Sequence, residues 1–233
     1  MHATLAVCLA LAATEPEGRA GSRAYGTSLV ARSLDPALLR QMGASSSMAA
    51  GDRIIVPASL VEAIRRRGML PRGFRVFNRD DPQRQFFTEA LPSHCAEGEI
   101  CAPAFVLASL GVAEGDVVGV QSAAFPKAEF ARFQAHSSKL AEHPEMGELL
   151  TTTLEGFAAL TNGSTIELRD GPEVYKVDVI AVRGRADRRQ DTSGGQAVWI
   201  DNIDLVTDWA VPKDARRKAR RKQALGEGKE GDA

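Results

Sequence analysis

One short phrase occurs twice in this chain and restricts its fold: a Gly-Asp pair set just ahead of an apolar, β-favouring run. It stands first at Gly51-Asp52, before Ile54-Ile55-Val56, and again at Gly115-Asp116, before Val117-Val118-Gly119-Val120. Glycine takes a positive φ without penalty, and an Asp carboxylate accepts bonds from backbone N–H groups that a tight turn leaves free. Each pair therefore reads as a turn delivered into a strand. Two such units in a chain of short strands and short helices predict a small pseudo-symmetric barrel.

The surrounding text fits that plan. YGTSLVARSL reads as a first strand, and Asp35-Pro36 opens a short helix because Asp caps free N–H groups and Pro is preset for the first turn. GASSSMAAG is a small-residue loop. In DRIIVPAS the strand ends at Pro57, and Ser59 is placed to cap a helix, LVEAIRRRG, that stops at Gly68. FRVFN and RQFFTEAL read as two strands joined at Asp80-Asp81-Pro82. EICAP gives a further strand, Pro103 starts the helix AFVLASL, and Gly111 closes it.

After Gln121 the pattern changes. FPKAEFARFQAHSSKLAEHPEM reads as a polar stretch leading to a longer helix, in which Met146, Leu149, Leu150, Leu154, Phe157 and Leu160 recur at helical spacing until Asn162-Gly163 ends it. STIELRD, EVYKVDVIAV and AVWIDNIDLVTDW read as strands. Asp170-Gly171-Pro172 joins the first two, and a long polar loop within Arg183 to Gln196 joins the next. The division expected is a signal-like or disordered stretch over 1–24, a barrel over 25–122, an α/β unit over 123–212 and a mobile tail over 213–233.

Charge narrows the partners. The 233 residues carry a formal net charge of −1, so no global attraction to nucleic acid or an anionic membrane follows. Locally, Lys213 to Lys222 holds seven basic residues against one acid, Asp214. A solvated charge run explains it without a nucleic-acid partner, and no aromatics are interleaved to stack on bases. The three cysteines, Cys8, Cys95 and Cys101, lack disulfide-framework spacing, which predicts unpaired thiols and a reducing compartment. Ala3 to Ala13 is an apolar run of signal-peptide length, too short to span a bilayer and without Lys or Arg ahead of it.

In order and spacing these blocks resemble the N-terminal region of the ubiquitin fusion degradation family. GDRIIVPASLVEAI is similar to that family's glycine, strand, proline, serine, helix signature. EGEICAPAFVLASLGVAEGDVVGVQSA resembles its acidic-Gly-Ile-Cys-x-x-Pro segment and the Gly-Asp strand after it. FARFQAHS, LEGFAALTNGSTIEL, EVYKVDVIAV and AVWIDNIDLVTDWAVP follow in the family's sequence, so the resemblance runs from about Tyr25 to Pro212. It implies a mainly β chain, a double-psi β-barrel followed by a small α/β subdomain. It also implies ubiquitin chains, the valosin-containing AAA+ ATPase and that enzyme's companion cofactor as partners. FFTEAL and the loop from Arg183 to Gln196 depart from the family pattern. Its Phe and Gly-rich docking box is not visible after Pro212, which counts against ATPase docking by that route.

The function expected is a non-catalytic ubiquitin-binding adaptor that delivers polyubiquitinated substrates to an AAA+ unfoldase, as in ER-associated degradation, in the cytoplasm or nucleus. A plastid-directed import component of the same kind, signal-directed to a secondary-plastid compartment, is the alternative suggested by the N-terminus. Rival classes are a pyruvoyl-type barrel enzyme cleaved within Asn162-Gly163-Ser164 and a DNA-binding regulator using the basic tail. Turn chemistry accounts for Asn162-Gly163-Ser164 without cleavage. Cys95, Cys101 and His94 do not make four zinc ligands, and four scattered histidines offer no base beside a nucleophile. No catalytic, cofactor or metal residue is therefore assigned, and the ubiquitin-contact residues are left unassigned. Phe125, Phe130 and Phe133 are candidates either to meet a partner or to pack the two units together.

Overall fold

Inward apolar residues alternate along most strands of the first half, and no two of those strands bury enough surface alone; six close on themselves instead. The computed structural model describes residues 25–34, 39–40, 51–67, 73–185 and 195–217. The first half runs β1 (Gly26–Ser33), β2 (Ile54–Val56), α1 (Ala58–Arg66), β3 (Gly73–Asn78), β4 (Gln85–His94), β5 (Glu99–Ala102), α2 (Ala104–Leu110) and β6 (Val117–Ala123). The strands form a closed barrel in the order β1-β5-β2-β4-β3-β6. Pairing of β1 with β5 and of β2 with β4 is parallel, and the other junctions are antiparallel. Leu29, Ala31, Ile54, Val56, Phe74, Val76, Phe86, Ile100, Val118 and Val120 fill the interior, and Leu60 and Ile64 of α1 and Val106 and Leu110 of α2 join that cluster. The small barrel expected from the sequence forms, and it closes with six strands.

Local signals hold in detail at the second Gly-Asp pair. Gly115 sits at φ 95°, the Asp116 carboxylate accepts from the Ala113 N–H at 2.8 Å, and the Asp116 carbonyl accepts from the Ala31 N–H of β1. Gly111 closes α2 at φ 66°. Ser59 does not cap α1: Pro57 occupies that position without a side-chain bond, and the Ser59 hydroxyl, inside the first turn, bonds Glu97 instead. The helix begins earlier than its serine suggests because Pro57 already supplies the entry dihedral.

The second half runs β7 (Ala128–Ala135), α3 (Ser138–Ala141), α4 (Met146–Leu154), β8 (Ala159–Thr161), β9 (Thr165–Asp170), β10 (Glu173–Gly184), β11 (Ala197–Trp199) and β12 (Val206–Ala210). β12-β7-β10-β9 form a four-stranded sheet, and β11 pairs with β8. Three expectations are corrected here. The supposed polar stretch contains β7, whose Ala131, Phe133 and Ala135 point into the core while Glu129 and Arg132 face water. The long helix stops at Leu154; Phe157 to Leu160 lie beyond it, and Leu160 is in β8, so Asn162-Gly163 turns strand into strand. AVWIDNIDLVTDW is two strands, separated at Asn202, which takes φ 54°.

Leu150 of α4 packs with Phe133, Leu168, Val177, Val179 and Val198 in a second hydrophobic cluster. Phe105 of α2 touches both clusters. The expected 1–24 extension, the Asp35-Pro36 helix start, most of the loop after it, most of the Arg183–Gln196 loop and the tail after 217 lie outside the described residues. Among those described, no helix is long and apolar enough to cross a membrane.

Candidate interaction seam

The first Gly-Asp pair does something its twin does not. Gly51 lies so close to the opposite half that a Cβ on it would stand 1.8 Å from the Gly156 carbonyl oxygen. Asp52 follows, 0% exposed. Its carboxylate reaches across the molecule to accept from the Ala158 N–H at 2.7 Å and the Ala159 N–H at 3.2 Å, at the entry to β8. Burial pushes its pKa up to about 7, against the pull of those two N–H groups and of Arg53. The equivalence of the two Gly-Asp pairs is thus corrected: Gly115-Asp116 makes a turn, and Gly51-Asp52 makes a seam.

Arg53 extends it. Its Nη1 donates to the Gly156 carbonyl at 2.8 Å, while Glu89 and Asp201 stand 3.4 and 3.6 Å from the same guanidinium. Beside it the Thr88 hydroxyl donates to the Asp52 carbonyl at 2.8 Å. The Thr161 hydroxyl accepts from the Phe87 N–H at 2.9 Å. Asp52, Arg53 and Thr161 therefore satisfy backbone that belongs to the other half, while Thr88 satisfies backbone of its own half, as buried polar groups must.

Aromatic rings complete the joint. Phe87 of β4 meets Phe125 edge-on at 6.0 Å, and Phe125 lies over Trp199 of β11 at 4.1 Å. Of the three phenylalanines singled out in the sequence, Phe125 and Phe133 are buried, the first in this stack and the second against Trp209 at 5.6 Å. Phe130 alone is partly exposed, on the outer face of the sheet opposite Val206, with the Arg183 guanidinium 5.1 Å from its ring. Trp199 also lines a cleft of about 260 Å³ with Glu89, Lys127, Asp201, Asn202 and Ile203. The cleft offers an aromatic wall and a charged lip.

Other residues flagged in the sequence land apart. Cys95 and Cys101 are bonded as a disulfide, which corrects the expectation of unpaired thiols. β2 lies between their strands: the Cys95 N–H donates to the Val56 carbonyl, and Ile55 pairs with Cys101. Six residues of separation carry no sign of this in the sequence. Ser164 is buried, and its hydroxyl donates to the Thr161 carbonyl at 2.7 Å. Among the described residues no three His, Cys, Asp or Glu side chains converge as a metal site. Nothing in the sequence marks Ala158, Ala159 or Gly156, whose backbone atoms make the seam; an Asp52-Arg53 pair set directly against a buried-type strand is the one available hint.

No family model matches the chain. It is 24% identical over 184 residues to the mouse (Mus musculus) ubiquitin recognition factor in ER-associated degradation protein 1, a stretch covering 77% of this chain and 56% of that protein. To the human (Homo sapiens) protein of that name it is 25% identical over 179 residues, 76% of this chain and 55% of the relative. Ubiquitin fusion degradation protein 1 of Schizosaccharomyces pombe is 22% identical over 162 residues, 70% of this chain and 45% of that protein. The chain thus spans about half the length of the curated relatives it matches, and it is similar over that span to proteins named for ubiquitin recognition and ubiquitin fusion degradation.

Proposed function

We propose that this chain belongs to the ubiquitin fusion degradation family and acts as a non-catalytic adaptor that binds ubiquitin chains and delivers polyubiquitinated substrates to the valosin-containing AAA+ unfoldase, in the manner of ER-associated degradation. The observation that carries the reading is the similarity to ubiquitin recognition factors over 184 residues, 77% of the chain. In this reading 25–122 is a double-psi barrel, 123–212 a small α/β subdomain, and the two are locked by Asp52 and Arg53 into one preformed surface. Preformation lowers the ordering cost of binding, and chain length supplies avidity to contacts that are weak per ubiquitin. The test is retention of polyubiquitin and of mono-ubiquitin on the immobilised chain, with co-purification of an unfoldase scored alongside. Polyubiquitin held more strongly than mono-ubiquitin is expected; retention of neither sinks the proposal.

The Cys95–Cys101 disulfide favours a second reading of location, because such bonds persist in oxidising compartments and are reduced in the cytosol. Here the N-terminal apolar run directs the chain out of the cytoplasm. Fusing residues 1–50 to a fluorescent reporter decides between the two: a diffuse cytosolic signal ends this second reading.

A further inference from the structure

The segment that follows β12 is fastened back onto the sheet. The Gln134 side chain donates to the Val211 carbonyl at 2.8 Å, and the Asp214 carboxylate accepts from the Ser138 N–H and hydroxyl, each at 2.9 Å. The Asp214 N–H donates to the His136 carbonyl at 3.3 Å. Between these bonds lies Lys213, whose ammonium is paired with Asp178 of β10 and stands 2.9 Å from Nε2 of His136. That same Nε2 is 2.7 Å from Asp178 Oδ1, which also accepts from the Thr165 hydroxyl at 2.8 Å.

These three groups cannot all be satisfied in one protonation state. A bare Nε2 accepts from the ammonium but turns a lone pair toward Asp178; a protonated Nε2 donates to Asp178 but faces the ammonium with a second donor. Lys213 meets Oδ2 of Asp178 and His136 meets Oδ1, so the conflict lies between the ammonium and a protonated Nε2, two donors only 2.9 Å apart. Burial raises the Asp178 carboxyl, yet the bonds from Lys213, His136 and Thr165 outweigh it and hold the pKa below the ordinary carboxylate value. The acid stays ionised throughout the range in which imidazoles change charge. The other charged groups about this corner are Lys176, whose carbonyl accepts from the His136 N–H, with Glu167 paired opposite it on β9, Asp214, and Lys139 of α3.

We propose that His136 is a proton-operated latch: with the imidazole neutral, Lys213 is held on Asp178 and the helical turn over 213–217 is docked, whereas the imidazolium keeps Oδ1 of Asp178 and repels the adjacent Lys213 ammonium. Acidification then loosens the segment that carries Arg216 and Arg217 and adds Lys213 to the cations it presents. This inference does not depend on the ubiquitin reading, since it concerns only how the C-terminal segment is tied down.

The experiment is amide exchange and ¹⁵N relaxation by NMR on the whole chain, above and below the imidazole range, with exchange corrected for its intrinsic pH dependence. In the unaltered chain, protection of the Asp214 and Arg216 amides should fall several-fold on acidification while β7 and β10 amides keep theirs. His136→Gln, which cannot take the charge, should abolish that response. Lys213→Ala should leave the turn loose at both pH values. Equal protection of the unaltered chain at both pH values overturns the proposal, and so does a full acid response surviving in His136→Gln.

Discussion

Replacing Asp52 by Asn tests whether burial or hydrogen bonding governs the seam. The carboxylate is fully buried and is pushed up to about 7 from 3.8. A folded-state pKa raised in this way means that the folded protein binds the proton more tightly than the unfolded chain. The stability it supplies is complete below the unfolded value of 3.8 and is lost as pH rises toward about 7, above which the curve is flat. That gap corresponds to about 4 kcal/mol. The side-chain amide of Asp52→Asn cannot titrate, and it offers one acceptor to the Ala158 N–H while opposing the Ala159 N–H with a donor. The second effect is a constant offset, so it does not disturb the pH dependence. Urea denaturation of both proteins at several pH values between about 4 and about 8, compared as a difference so that all shared titrations cancel, reads the effect directly. The unaltered protein should lose about 4 kcal/mol relative to Asp52→Asn across that range. A difference that stays flat, or that favours the unaltered protein as pH rises, refutes the reasoning: the two N–H groups and Arg53 would then hold the carboxylate ionised against its burial.

Gly51→Ala drives a Cβ into the Gly156 carbonyl oxygen, and because backbone cannot swing aside the loss should reach about 3 kcal/mol in the same urea assay. Phe125→Ala empties the stack between Phe87 and Trp199 and should cost about 3–5 kcal/mol, with a change in Trp emission. Thr161→Val strips the Phe87 N–H of its buried acceptor, for an expected loss of about 1–3 kcal/mol by thermal melting. Reduction of Cys95–Cys101 should lower stability by about 2 kcal/mol, the loop-closure value for six residues of separation, measured as a shifted urea midpoint with and without dithiothreitol.

The comparison of the two Gly-Asp pairs explains what can be read in advance. At Gly115-Asp116 the acceptor finds its N–H three residues away, so sequence alone carries the geometry. At Gly51-Asp52 the partners lie 106 and 107 residues along the chain, and no local rule reaches that far. The barrel strands are legible because inward apolar residues alternate in them. β7 is not, since its outward Glu129 and Arg132 give it the composition of a loop. The helix reads as too long because Phe157 and Leu160 keep its spacing past Gly156 although their burial is against strands and rings. Cys95 and Cys101 escape a local reading because β2, which brings them together, comes from about forty residues upstream. Of the phenylalanines, the sequence can name the cluster but not which ring stays outside.

The seam also orders events during synthesis. All six barrel strands have left the ribosome once Ala123 has emerged, but at that moment the Asp52 carboxylate has neither of its N–H donors, and Gly156, against which Gly51 must rest, is still to come. A nascent barrel thus carries an unmatched acid that is readily solvated or protonated while it waits, and it becomes dry only when β8 arrives. Chain elongation, rather than barrel closure, sets the instant at which the first half acquires its final stability.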